Sequence, residues 1–157
     1  MTELFEILLV DDNLADIKLA LYSLGAAESI RTVNVVRDGE EALDFLFCRG
    51  RYAKRVKTAL PRLVLLDLKL PKVTGFEVLE AIRNDADTHD LPIVILTSSN
   101  QERDVRECYR LGANSYVQKP VDFDAFRNLL QQIKQYWLDV NRTPMTLTGV
   151  DDEPSHH

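Results

Sequence analysis

Apolar positions along the chain alternate between short continuous runs and longer segments with helical spacing. Phe5–Val10 (FEILLV) is a short apolar run ending at Asp11-Asp12. Asp12 or Asn13 then supplies a cap for a helix with Ile17, Leu21 and Leu24 on one face, stopped by Gly25. Thr32–Val36 is short and β-branched and reads as a strand. Gly39–Phe47 has Ala42, Leu43, Leu46 and Phe47 at helical spacing. Leu63–Leu70 (LVLLDLKL) has the near-continuous apolar character of a strand covered on both faces. Thr74–Arg83 is amphipathic through Phe76, Leu79 and Ile82. Ile93–Leu96 is a second buried strand, reached through Pro92. Gln101–Leu111 reads as a helix with Val105, Cys108 and Tyr109 on one side and Gly112 as its stop. Tyr116–Val117 is a short strand before Lys119-Pro120, and Asp122 caps a last helix reaching Val140.

The pattern predicts an α/β fold, with five strands alternating with five helices through short connections. That alternation implies a parallel sheet with helices on both faces. Right-handed crossovers leave few topologies, and the small doubly wound order 2-1-3-4-5 (flavodoxin-like) is the natural one. Its ligand crevice opens at the carboxyl ends of strands 1 and 3. Residues 1–141 are expected to form a single domain. Two segments exceed the minimal unit. Residues 49–62 carry six basic side chains (Arg49, Arg51, Lys54, Arg55, Lys57, Arg62) and no acidic one, and the connection is long for its kind. Residues 142–157, with Pro144, Gly149 and Asp151-Asp152-Glu153, read as a flexible tail, and the closing His156-His157 is left out of the site reasoning.

Composition narrows the function classes. The 157 residues carry 19 basic and 25 acidic side chains, a net charge of −6. A dedicated nucleic-acid binder relies on phosphate neutralisation and would show a basic excess. Two cysteines, Cys48 and Cys108, make no disulfide framework, which fits a reducing, cytoplasmic setting. Both are expected to pack on helical faces. No run approaches the ~20 apolar residues of a membrane span, and Met1-Thr2-Glu3-Leu4 has no signal-peptide character.

Four strand ends carry chemically useful residues: Asp11-Asp12, Asp67, Thr97 and Lys119. The predicted fold brings them to one sheet edge. Each has an ordinary alternative. Asp67 could face water at a frayed strand end. Asp11 and Asp12 suit a helix start, Thr97 suits a strand terminus, and Lys119 could be solvated. Together, three carboxylates repel one another and Lys119 offsets only one charge. A hard divalent cation such as Mg²⁺ takes oxygen ligands and would balance the rest. Such a cluster suits phosphoryl transfer, with Asp67 as nucleophile forming an aspartyl phosphate. Thr97 would donate to a phosphoryl oxygen, and Lys119 would neutralise another. Pro120 makes the 119–120 bond a candidate cis peptide.

Asp11-Asp12, Leu66-Asp67-Leu68, Pro71 with Gly75, Leu96-Thr97-Ser98, Gly112-Ala113 and Lys119-Pro120 together resemble the receiver domain of bacterial two-component response regulators, from about Phe5 to Val140. The resemblance implies Asp67 as phosphoacceptor and Asp11 and Asp12 as metal-site carboxylates, with the backbone carbonyl of Lys69 completing the protein ligands. It implies Mg²⁺, with Mn²⁺ or Ca²⁺ admissible in the same site. Thr97 and Tyr116 would be a switch pair, Tyr116 moving inward from an exposed position, and Lys119 the phosphate contact. Tyr52-Ala53, Leu68-Lys69-Leu70-Pro71, Gly112-Ala113-Asn114-Ser115-Tyr116, Lys119-Pro120-Val121-Asp122 and Tyr136-Trp137 further resemble the small regulators paired with phytochrome histidine kinases. That implies a phytochrome-type histidine kinase as partner, signalling by protein contacts without an output domain, and no direct nucleic-acid or membrane contact. Slow self-dephosphorylation is the only catalysis expected.

The last helix has a wide apolar band. Phe126, Leu130, Ile133 and Trp137 form a core-facing stripe, leaving Phe123, Leu129, Tyr136 and Val140 as candidates for a homodimer surface. The basic segment 49–62 could dock an acidic surface of a kinase or be a solvated loop. Competing functions are a phosphate sink, a metal-dependent phosphohydrolase and a flavin carrier. Asp67-Leu68-Lys69 lacks the second acid that a familiar aspartate-nucleophile hydrolase carries two residues on. The acidic loop after strand 1 would repel a flavin phosphate.

Overall fold

The structure is a computed structural model that describes residues 5–25 and 33–144. Thr32 and the acidic stretch, glycine and histidines of the tail lie outside the described residues. The strands are β1 (Ile7–Val10), β2 (Val33–Val36), β3 (Leu63–Leu66), β4 (Ile93–Thr97) and β5 (Ser115–Gln118). The helices are α1 (Leu14–Ser23), α2 (Gly39–Phe47), α3 (Gly75–Arg83), α4 (Glu102–Arg110) and α5 (Phe123–Lys134), the last continuing as a π-helical stretch over Gln135–Val140. All strand pairs are parallel, in the order β2-β1-β3-β4-β5. The predicted fold class and strand order are those observed.

Alternation along the strands splits the core in two. Leu8, Val10, Val64, Leu66, Ile93 and Ile95 face α2, α3 and α4. Ile7, Leu9, Leu63, Leu65, Val94 and Leu96 face α1 and α5. The three central strands are buried at every position, which is why they read as unbroken apolar runs. Removing a side chain such as Leu65, fully buried, would cost about 2–5 kcal/mol.

Polar caps fix where the helices start. Asn13, Asp38 and Asp122 each accept a hydrogen bond from a first-turn N–H. Thr74 and Glu77 form a reciprocal capping box on α3.

Some boundaries differ from the sequence reading. β3 ends at Leu66, not Leu70. Leu68 and Leu70 continue the apolar pattern because they still pack into the core on the α2–α4 side after the strand has ended. Asp67 therefore stands just past the strand rather than within it. In α5, Leu138 is buried and Trp137 only partly so. The π-helical wind advances the core face by five residues after Ile133, which selects Leu138. Tyr109 is exposed, and Cys48 is the left-handed C-cap of α2 rather than a face residue.

The basic segment folds onto α2. It contains a 3-10 turn at Gly50–Tyr52. Arg55 lies over the Phe45 ring, 3.7 Å from its centroid, and donates to the carbonyls of Phe45 and Ala59, each at 2.5 Å. Arg49 pairs with Asp44 and Arg51 with Glu41. Arg62 pairs with Glu6 and donates to the Leu138 carbonyl. Lys54 and Lys57 are exposed.

Candidate functional site

Backbone hydrogen bonds carry the sheet ladder one step past the strand ends and so place the site residues. Asp11 N–H donates to Val36 O, Asp67 N–H to Val10 O and Lys119 N–H to Thr97 O, at 3.1, 3.0 and 2.7 Å. Three residues far apart in sequence are thereby fixed along one edge. Gly75 holds the loop behind Asp67. A Cβ at that position would lie 2.2 Å from the Asp67 carbonyl oxygen, so only glycine allows α3 to start so close.

Asp67 is 9% exposed. Its Oδ1 accepts from the Leu68 N–H at 2.7 Å, and its Oδ2 accepts from Lys119 Nζ at 3.3 Å. Asp11 is more deeply buried. It accepts from the Asn13 N–H at 2.9 Å and from Lys119 Nζ at 2.7 Å. Lys119 also donates to Asp16 at 2.9 Å. Asp16 was not singled out by the sequence. Its position in the first turn of α1 has the ordinary reading of a helix-start acid, and only the fold turns it toward Lys119.

Asp11, Asp12 and Asp67 each offer an oxygen within 4.8 Å of the others. The donors are all hard carboxylate oxygens and two of the residues are buried, which fits a divalent cation such as Mg²⁺, Mn²⁺ or Ca²⁺. One ammonium serves a group of four carboxylates that includes Asp16. Burial pushes the Asp11 carboxyl above its usual range, an effect its bonds to Lys119 and Asn13 reduce. Burial alone would lower Lys119. Its bonds to Asp11 and Asp16 and the field of Asp67 outweigh that, holding the ammonium above the ordinary lysine range.

A cleft of about 630 Å³ opens beside Asp67, lined by Lys69, Thr74, Thr97, Ser98 and Arg103 among others. Thr97, buried at the end of β4, accepts from the Ser99 N–H at 3.4 Å. Tyr116 is half-buried against the core rather than exposed. Its hydroxyl donates to the Ser99 carbonyl at 3.0 Å, which anchors the ring. Burial raises the Tyr116 hydroxyl above its usual range. Ser99 thus touches both Thr97 and Tyr116, a link that neither residue's sequence position signals.

Two further expectations change. The 119–120 bond is trans, since no cis peptide occurs among the described residues. This agrees with the trans preference that even X–Pro bonds keep. Leu129 is half-buried and packs against the α1–α5 core, leaving Phe123, Tyr136 and Val140 as exposed members of the apolar set. The first turn of α5 faces Tyr22 of α1, with ring centroids 6.3 Å apart. Among the described residues, no helix is long and apolar enough to cross a membrane.

The model of the response regulator receiver domain matches residues 7–131. The chain is 40% identical over 140 residues to the probable methanogenesis regulatory protein FilR2 of Methanothrix harundinacea, covering 89% of this chain and 88% of that protein. It is 36% identical over 138 residues to the response regulator Rcp1 of Synechocystis, covering 88% and 92% respectively. The Mn²⁺-bound crystal structure of Rcp1 superposes with a TM-score of 0.79. That of the phosphorylated cyanobacterial phytochrome response regulator RcpA superposes with a TM-score of 0.80 at 37% identity, covering 88% of this chain and 96% of that one. The expected strand order, the carboxylate edge and relatives matched over nearly their full length agree, and the chain belongs to the response regulator receiver domain family.

Proposed function

We propose that Asp67 is the phosphoacceptor of this regulator and that a histidine kinase is its donor. The observation that carries the reading is Asp67 itself: buried, one oxygen accepting from the Leu68 N–H, the other facing the Lys119 ammonium, and oxygens of Asp11 and Asp12 within 4.8 Å. An Asp67 oxygen forms the new O–P bond while the P–N bond of a phosphohistidine breaks. The imidazole leaves with the electron pair and takes up a proton. Asp11, Asp12, Asp67 and the Lys69 carbonyl would hold Mg²⁺, which when bound supplies positive charge against the phosphoryl oxygens. Lys119 neutralises a further oxygen, and Thr97 donates its hydroxyl to another.

Signalling then follows from Ser99. When Thr97 turns toward a phosphoryl group it gives up the Ser99 N–H, and Ser99 also holds Tyr116. The relatives favour a phytochrome-type kinase through Rcp1 and RcpA, although FilR2 shows that the scaffold serves other regulation. The chain acts as a cytoplasmic signalling module rather than an enzyme turning over a separate substrate, with residues 1–141 as the receiver and 142–157 as a tail. A homodimer is supported by exposed Phe123, Tyr136 and Val140. The basic segment is supported as a structural clamp on α2 rather than a docking loop, because four of its six cations are engaged within the chain.

The test is intact mass after incubation with acetyl phosphate, with and without Mg²⁺. Wild type is expected to gain one phosphoryl group only with the metal, and Asp67→Asn none. An adduct of equal size on the mutant would end the assignment.

A further inference from the structure

Lys119 has three N–H donors and the fold gives each of them a carboxylate. The short contacts, 2.7 and 2.9 Å, go to Asp11 and Asp16, and the long one, 3.3 Å, goes to Asp67. The ammonium is therefore drawn toward the α1 side of the site, away from the residue it is meant to serve. A phosphoryl group on Asp67 brings new acceptor oxygens, and the donor now on Asp67 can pass to them. To follow them the ammonium has to move toward Asp67, and one of its two short bonds has to lengthen.

The surroundings say which. The Asp11 side chain is 4% exposed, so water cannot take the place of a withdrawn ammonium. The Asp16 side chain is 30% exposed, so water can replace the ammonium. Asp16 also lies in the first turn of α1 with its own N–H capped by Asn13, where the helix dipole favours a bare carboxylate. Losing the partner is cheap for Asp16 and expensive for Asp11.

We infer that Asp16 is a positioning residue that holds the Lys119 ammonium back from Asp67 and hands it over when a phosphoryl group arrives. This rests on the reading of Asp67 as phosphoacceptor. Asp16 thus competes with the phosphoryl group for one cation and restrains phosphorylation. It touches neither the reacting oxygen nor the phosphorus, and it acts only through Lys119.

The experiment uses the full chain as wild type, Asp16→Asn and Asp16→Glu, with Mg²⁺ throughout. Phosphorylation by subsaturating acetyl phosphate is followed by intact mass. In that reaction Asp67 gains the O–P bond while acetate leaves with the electron pair of the broken P–O bond. Asp16→Asn is expected to react about tenfold faster, the scale of one lost charged hydrogen bond. Asp16→Glu, which keeps the charge, is expected within about threefold of wild type. The second readout is the ¹⁵Nζ resonance of Lys119 before and after beryllofluoride. In wild type it is expected to shift strongly on binding, and in free Asp16→Asn it should already lie partway to the bound position.

Equal rates with an unmoved Lys119 resonance would overturn the inference and leave the phosphoacceptor reading intact, as would a slower Asp16→Asn whose thermal melting matches wild type. If melting shows that Asp16→Asn does not fold, the resonance of Asp16→Glu decides. The longer arm should displace Nζ, and an unmoved signal counts against the pair. If wild type gains no adduct, the phosphoacceptor reading fails and takes the competition with it. The Lys119 resonance would then still report whether Asp16 holds the ammonium.

Discussion

Two clusters of like charge behave oppositely in the fold. At the sheet edge, Asp11, Asp12, Asp16 and Asp67 are crowded by strand ends and one helix start around a single ammonium. In the segment 49–62, Arg49, Arg51, Arg55 and Arg62 each meet a carboxylate or carbonyl. The first region is held together against its own repulsion by the sheet that anchors it. The second helps to hold its surroundings together. Unbalanced charge that a rigid scaffold enforces marks chemistry, because a bound cation or a phosphoryl reaction relieves it. Balanced charge marks architecture. The difference yields measurable contrasts, since a substitution at the edge should alter reactivity more than stability, and one in the basic segment the reverse.

Between these two regions, the largest expected effect on folding belongs to Arg55. Its guanidinium covers the Phe45 ring and satisfies two carbonyls. Arg55→Ala leaves those acceptors without their partner and removes a cation–π contact, for a loss of about 2–3 kcal/mol. Denaturant unfolding measures it. Phosphorylation by acetyl phosphate under folding conditions should be unchanged. A mutant of wild-type stability would mean that the segment is solvated after all, and the contrast between the two regions would collapse.

The opposite sign is expected at Asp12, the most open of the three clustered carboxylates. Without metal, Asp12→Ala removes one like charge from the cluster and should stabilise the protein by about 0.5–1 kcal/mol, the scale of Coulomb repulsion near a protein surface. With Mg²⁺ the sign reverses, because affinity for the ion should fall at least about tenfold. Thermal melting across a metal titration reads both. A mutant that melts below wild type without metal would show that Asp12 stabilises the site by some other contact.

What the sequence disclosed follows the same division. The central strands were readable because both faces are covered, which leaves no polar alternation to confuse them. The carboxylate edge was readable because parallel topology sends every strand end to one side. Partnerships were not. Asp16 looks like a helix-start acid, and only the position of Lys119 gives it a second role. Arg62 reaches the Leu138 carbonyl across 76 positions, which no local pattern signals. The end of β3 was hidden because Leu68 and Leu70 serve a loop with the same apolar residues a strand would use. The register change at Leu138 was hidden because a π-helical stretch breaks the 3.6-residue period that any helical reading assumes.

The smallest effect is the finest test of balance in the basic segment. Tyr52 donates to Glu41 at 2.7 Å and packs its ring edge-on against Phe45. Burial, then the bond to Glu41, pushes its hydroxyl from 10.0 up to about 12. A raised folded-state value means that the folded protein keeps this proton where the unfolded chain has lost it. The contribution is therefore whole below pH 10 and is lost as pH climbs toward 12. Tyr52→Phe keeps the ring and removes the bond, while Glu41 keeps its pairing with Arg51. The cost at neutral pH should thus be no more than about 1 kcal/mol. The gap between wild type and mutant should narrow through that alkaline window, because only wild type has the proton to lose. Tyrosinate absorbance offers the direct check, the mutant lacking the latest of the ionisations that wild type shows. If the mutant instead lost an early, ordinary ionisation, Tyr52 would be a solvated phenol, and the packing of the segment onto α2 would have to be given up at that point.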